Sequence, residues 1–411
     1  MGAAIVGALL ALLLAYAGSY VLTRYGLGTV TGPQGANPRG PAVFRTAALN
    51  LYAMQHVTLA GSGSQEDMVT GTSARISAQI TLPLSVWVVV PAIALLIGGF
   101  AAGKMRPGCG RWGIAAGAVL AGLIYALVLA GASRLIYAPI SAFAIPQIGD
   151  MGSQPPAVPF HGTWKTTLIF AGSFGIVFGF IGSLMAVRGL SAKSEPGVWW
   201  TCGKAAVISA LLVQILLAGG FYAWSLRKAQ PEDERKAPAV VLPMVSGIGY
   251  TLIHGQPLLA SVESRVKVDN STIRTLHVRA NLYTGIHGRD LRGEPLRVKQ
   301  STRISVIAVA VVIGALAALF AGWLAAGWLP HEGPALPAAR VAILHTGYLA
   351  ALIGLCSMEL IQSDPVSVST ILVKPLYGIK LACSFGGVLI FALIGAAMGR
   401  RKSSSSKGAA V

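Results

Sequence analysis

The feature that most constrains this chain is a series of about eight apolar runs, each long enough to cross a bilayer as a helix. They lie near Ala3–Leu22, Leu84–Gly103, Trp112–Ser133, Thr166–Val187, Ala205–Trp224, Ile304–Trp328, Val341–Gln362 and Leu376–Met398. Hydrocarbon about 30 Å thick takes roughly 20 helical residues to span and offers peptide groups no partner, so such runs fold as helices that satisfy their own backbone. Only 11% of the 411 residues are charged and 54% are hydrophobic, too little charge to coat a globular surface of this size. The composition excludes an ordinary soluble domain and predicts an all-α polytopic membrane protein.

The second half of the chain repeats marks of the first in the same order. Ala171-Gly172-Ser173-Phe174-Gly175 has a counterpart in Ala382-Cys383-Ser384-Phe385-Gly386, and the basic entry Ser73-Ala74-Arg75-Ile76-Ser77 one in Ser301-Thr302-Arg303-Ile304-Ser305. Self-similarity of this kind marks a duplicated membrane unit. The expected organisation is two four-helix repeats. Residues 1–203 form the first, with an outer loop at 24–83; residues 204–402 form the second, with a β-rich outer segment at 225–303; residues 403–411 are a disordered tail. An even number of spans per repeat makes the two parallel, related by an axis along the membrane normal.

Orientation follows from Lys and Arg in the short connections, which resist translocation. Lys104, Arg106 and Arg111, then Arg188, Lys193 and Lys204, then the Arg400–Lys402 tail mark one side as cytoplasmic, whereas the opposite short loops hold only Arg134, Lys165 and Lys374. A cell-membrane protein with both termini inside is expected. Arg227 and Lys228 sit on the wrong side, next to a long translocated segment of the kind largely exempt from the rule. The net charge of +18 is divided among these anchors and forms no basic stripe with interleaved aromatics, so the bilayer, and not nucleic acid, is the expected partner. Ala15-Tyr16-Ala17 resembles a leader cleavage site, but no basic residue precedes the apolar run, and the first helix is expected to be retained. Cys109, Cys202, Cys356 and Cys383 all fall in spans or cytoplasmic loops and are expected as free thiols.

The outer segments differ in character. Gly61-Ser62-Gly63-Ser64 reads as a flexible loop, while from Val262 to Lys299 apolar and polar residues alternate, which predicts a small β-meander turning at Asp269-Asn270-Ser271. Tyr52 and His56 recur as Tyr250 and His254, and form a candidate outer-face site; their plain role is to cap short helices lying on the membrane surface. Inside the membrane, where ionisable groups are costly, the candidates are His345 near the cytoplasmic third of the seventh helix, Glu359 toward its outer end and Lys380 in the eighth, with a Glu359–Lys380 ion pair as the plain alternative. Gly175 and Gly179, and Gly395 and Gly399, form GxxxG faces for close helix packing.

No P-loop, HExxH or GxSxG is present, and no metal or cofactor is implied. The leading expectation is a path or cleft for a solute or lipid-like substrate. The alternative is a non-catalytic anchor or accessory subunit that binds an extracytoplasmic partner or joins a larger membrane complex. A membrane enzyme comes third, requiring Tyr52, His56, Tyr250, His254 or Glu359 to face one pocket.

Overall fold

A computed structural model describes residues 1–25, 40–66, 73–83, 85–105, 111–140, 158–188, 197–228, 237–266, 272–281, 285–289, 303–329, 331–363, 367–376 and 380–408. Eight of the described helices are long and apolar enough to cross a membrane, with spans at Gly2–Arg24, Val86–Lys104, Gly113–Ala132, Trp164–Ala186, Val198–Ser225, Ile307–Trp328, Ala335–Leu355 and Leu381–Arg400. The chain is a polytopic membrane protein. It divides into two compact units, Met1–Ser194 with Ser264–Ile273 and Met358–Ile371, and Glu195–Glu263 with Arg274–Ser357 and Leu372–Val411.

The first unit contains α1 (Gly2–Arg24), α2 (Pro41–Met54), β1 (Leu59–Glu66), β2 (Ser73–Thr81), α3 (Val89–Lys104), α4 (Arg111–Ala132), β3 (Ala138–Ile140), β4 (Val158–Gly162) and α5 (Trp164–Arg188). Pro41 opens α2, where its fixed φ suits a first turn and its missing N–H is not needed. Small residues set the packing. Ala4, Ala8, Ala11 and Ala15 are buried along α1, which packs on α3, and a Cβ on Gly99 of α3 would overlap the backbone of Gly179 in α5. Gly175 meets Gly122 of α4 equally closely, so dispersion between backbones replaces the hydrophobic drive that lipid cannot supply. Where α1 meets α2, Ser19 donates to the Ala47 carbonyl at 2.6 Å and Asn50 donates to Thr23 Oγ1 at 2.7 Å, satisfying polar groups that burial would otherwise penalise.

Strands in this unit correct the reading of Gly61–Ser64 as a flexible loop. They lie in β1, which pairs antiparallel with β2 (Leu59 opposite Ile80) and on its other edge with β4 (Gly61 opposite Phe160). Glycine at 61 is needed there, because a Cβ would come within 2.8 Å of the Pro159 carbonyl. β3 pairs with β4, and β8 (Met358–Ser363) pairs with β2, placing Glu359 opposite Thr81.

The second unit contains α6 (Val198–Lys228), α7 (Ala237–Ile253), β5 (Leu258–Val266), β6 (Thr272–Asn281), β7 (Gly285–Arg289), α8 (Arg303–Trp328), α9 (Ala335–Leu355) and α10 (Lys380–Gly408), with β9 (Ser367–Pro375) running between the units' segments in sequence. The expected meander is present as β5, β6 and β7 in that order, with β6 and β7 antiparallel; its turn at 269–271 and its continuation at 296–299 lie outside the described residues. Cys202, Ala205 and Ala206 of α6, Ala321 and Ala325 of α8, and Ala392 and Ala396 of α10 form one buried cluster. A Cβ on Gly395 would strike the Leu319 backbone of α8, and one on Gly399 would lie 2.9 Å from the Trp323 carbonyl. α10 stays helical through Ser403–Ser406 to Gly408, where the sequence predicts disorder; extending an existing helix avoids the cost of nucleating one.

One span boundary moves. The apolar run near Val341–Gln362 holds helix α9 only to Leu355; Cys356 caps it, and Leu360 and Ile361 prolong the apolar run as strand β8. Glu359 is therefore a strand residue and not an intramembrane helix residue.

Candidate functional site

Each unit has a corner where a short helix ends, bends and becomes a strand. In the first unit α2 ends at Met54, Gln55 caps it, His56 adopts φ +61°, and β1 begins at Leu59. In the second, α7 ends at Ile253, His254 follows, Gly255 adopts φ +78°, and β5 begins at Leu258. The closing backbone bonds are alike, Val57 N–H to the Tyr52 carbonyl and Gln256 N–H to the Thr251 carbonyl. The left-handed residue is thus His56 in one corner and Gly255 in the other. By this turn geometry it is Gln55 that corresponds to His254, one residue out of step with the pairing of His56 and His254 in the sequence.

The first corner is braced. Tyr52 donates to the Leu129 carbonyl of α4 at 2.7 Å, and Gln55 Nε2 donates to the Tyr125 hydroxyl of the same helix at 3.0 Å. His56 Nδ1 donates to the Leu82 carbonyl at 2.7 Å, which assigns the proton to Nδ1, and the ring meets Phe170 edge-on with centroids 4.8 Å apart. Burial pulls the His56 imidazole below its ordinary range, and the Leu82 bond offsets part of that. Tyr52 and His56 therefore point to different partners and do not converge on a site.

The second corner does converge. α7 packs on α6 and α9 and buries Tyr250 completely. The Tyr250 hydroxyl stands 2.9 Å from Nε2 of His345, and His345 Nε2 stands 3.2 Å from Nε2 of His254. Because α9 runs Ala335–Leu355, His345 sits at its middle and not near an end as the longer apolar run implied. Two imidazole nitrogens facing each other at this distance share one proton: one ring supplies N–H and the other the lone pair, and a second proton would set two donors face to face. Ser384 of α10 donates to the His254 carbonyl, and Gln256 Nε2 donates to Ser384 Oγ at 3.3 Å, while Gln256 Oε1 is buried without a hydrogen-bond partner. Tyr348, edge-on to Tyr250, accepts from Gln214 of α6 at 2.6 Å.

Beside His254 lies a cavity of about 430 Å³ between the α7 end, α8 and α10. Ala310, Gly314, Ala318 and Phe391 form its apolar wall; His254 and Ser384 bring polar groups to it. Val311 and Cys383, also in the lining, are exposed at the helix surface. The sequence named His345 and the pair Tyr250 and His254 as separate candidates, and the fold brings all three together. Gln256 and Ser384 escaped the sequence reading, although Ser384 lies in one of the repeated marks. Glu359 belongs to the first unit and Lys380 opens α10 in the second. Among the described residues no group of three or more His, Cys, Asp or Glu side chains gathers to hold a metal ion. No protein-family model, curated protein or solved structure shows a significant match to the chain.

Proposed function

We propose that this membrane protein takes a lipid-like molecule into the cleft of its second unit. The observation that carries the reading is the cavity itself: apolar walls from two spans, exposed rim residues at the helix surface, and one polar end at His254 and Ser384. A lateral cleft between spans faces hydrocarbon in a bilayer, so the molecules that reach it are amphiphiles. The duplication expected from the sequence supports a bundle with such a cleft. Each half orders its elements as long helix, short helix, strands, two long helices, two strands and a final long helix, an order that supports two repeats. On this reading both termini are cytoplasmic and the strand-rich segments extracytoplasmic, in keeping with the basic loops.

The test is lipid retention. Purified protein extracted with solvent should yield a bound lipid detectable by mass spectrometry, and Gly314→Trp, which fills the cleft, should lose it. Equal lipid in the filled variant refutes the reading. Orientation is checked separately with a membrane-impermeant maleimide on intact cells, in a background without native cysteines: Ser62→Cys should label and Met105→Cys should not. Among the described residues β7 ends the strand order, and an edge there suits strand addition, which favours the second reading, an anchor or accessory subunit for an extracytoplasmic partner. A stoichiometric partner isolated with the protein, together with no bound lipid, would select it.

A further inference from the structure

The cleft's chemistry narrows what it can hold. A phosphate or carboxylate headgroup is recognised by Arg, Lys or clustered backbone N–H groups, and a quaternary ammonium by an aromatic cage. Among the described residues the lining contains no Lys, Arg, Asp or Glu, and Phe391 is its one aromatic apart from the His254 imidazole. Its polar side chains among the described residues are His254, Ser384 and the thiol of Cys383. His254 is held on one side by the Nε2 contact to His345 and at its carbonyl by Ser384, which leaves Nδ1 as the ring nitrogen available to a ligand. Its role depends on the shared proton. When His254 Nε2 donates to His345, Nδ1 carries a lone pair that accepts from a hydroxyl; when His254 Nε2 accepts, Nδ1–H donates to a carbonyl. Tyr250 meets the same His345 Nε2, so its hydroxyl and His254 share that nitrogen's one proton or one lone pair.

From this we infer that the occupant is a neutral lipid whose headgroup is a hydroxyl or a carbonyl, hydrogen-bonded to His254, with an aliphatic or isoprenoid tail along α8 and α10. This rests on the reading that the cleft takes a lipid-like molecule. A cavity of about 430 Å³ is in the range of single-ligand sites and suits one chain with a compact head. His254 acts as the specificity-determining residue, and His345 and Tyr250 position it.

The experiment uses the full-length protein in lipid nanodiscs and three probes with the same diazirine-bearing hexadecyl tail: a primary alcohol, a methyl ketone and a phosphate monoester. Adducts are mapped by mass spectrometry to peptides of α8 and α10. The alcohol and ketone should label these peptides, with the phosphate about tenfold weaker, the scale of one hydrogen bond not made. His254→Leu should lower alcohol and ketone labelling by a similar factor, and His254→Gln, which keeps a donor and an acceptor, should restore most of it. Phosphate labelling equal to or above that of the alcohol overturns the headgroup inference and leaves the cleft reading standing. Labelling of all three at the level seen in Gly314→Trp overturns the cleft reading itself. The comparison among probes on the unmutated protein decides the matter even where a histidine variant does not fold.

Discussion

Replacing His345 with Phe tests whether the buried polar chain is a cooperating unit. The substitution removes the only side-chain partner of the Tyr250 hydroxyl and of His254 Nε2 among the described residues. Leaving a buried polar group unsatisfied costs about 1–3 kcal/mol, so two such groups cost about 2–6 kcal/mol. A Phe ring regains about 1 kcal/mol of apolar burial, for a net loss of about 1–5 kcal/mol. At about 2–4 °C per kcal/mol, as for soluble domains, a mid-range loss of about 3 kcal/mol lowers the apparent Tm by about 6–12 °C. A thiol-reactive fluorophore reports unfolding through the buried Cys202 and Cys356, with Cys109 and Cys383 replaced by Ser, at one fixed scan rate. Tyr250→Phe removes the orphan that His345→Phe creates, so the double variant should be about 1–3 kcal/mol more stable than the sum of the singles implies. Additive losses, or His345→Phe melting with the unmutated protein, would refute the chain as described.

Further outcomes follow from packing, backbone and charge. Gly395→Leu drives a side chain into the Leu319 backbone and should destroy the single monodisperse peak in size-exclusion chromatography, whereas Gly386→Ala, with open space around it, should leave the peak unchanged. Gly255→Ala places a Cβ at φ +78° and should cost about 1–2 kcal/mol in the same melting assay. His56 is held neutral in the fold, so the unfolded chain binds more protons; its contribution is complete above about pH 6.5 and is lost as the pH falls below that value. His56→Asn tolerates the left-handed backbone and cannot titrate, and should flatten that part of the acid dependence of Tm; an unchanged slope would assign it to other groups.

The spans were legible because hydropathy over some twenty residues is a local property, and each of the eight runs contains a crossing helix. Strands were legible only where side chains alternate, as in β6 with Leu276, Val278 and Ala280. β1 was not, since its small residues Gly61, Ser62 and Gly63 carry no period; they are strand because β2 and β4 lie on either side, at positions far away in sequence. The end of α9 was hidden for a related reason, as Leu360 and Ile361 continue the hydropathy after the helix has stopped. The site divides the same way. His345 stood out as the histidine well inside a span, and Tyr250 with His254 stood out by spacing, but their meeting depends on how α7 packs against α9. His345 lies mid-helix because α9 ends at Leu355, a boundary the continued apolar run conceals.

The bends after the two short helices ask different things of their side chains. His56 both tolerates a backbone shape that side chains resist and fastens the loop to Leu82, so changing it would sacrifice the corner. Gly255 performs the bend without a side chain, which releases the preceding position from any duty to the backbone. With glycine at the bend, the preceding position is free to bring a side chain to the cavity, and His254 occupies it. Grafting the pair Gln55→His with His56→Gly asks whether the first corner can hold the same arrangement.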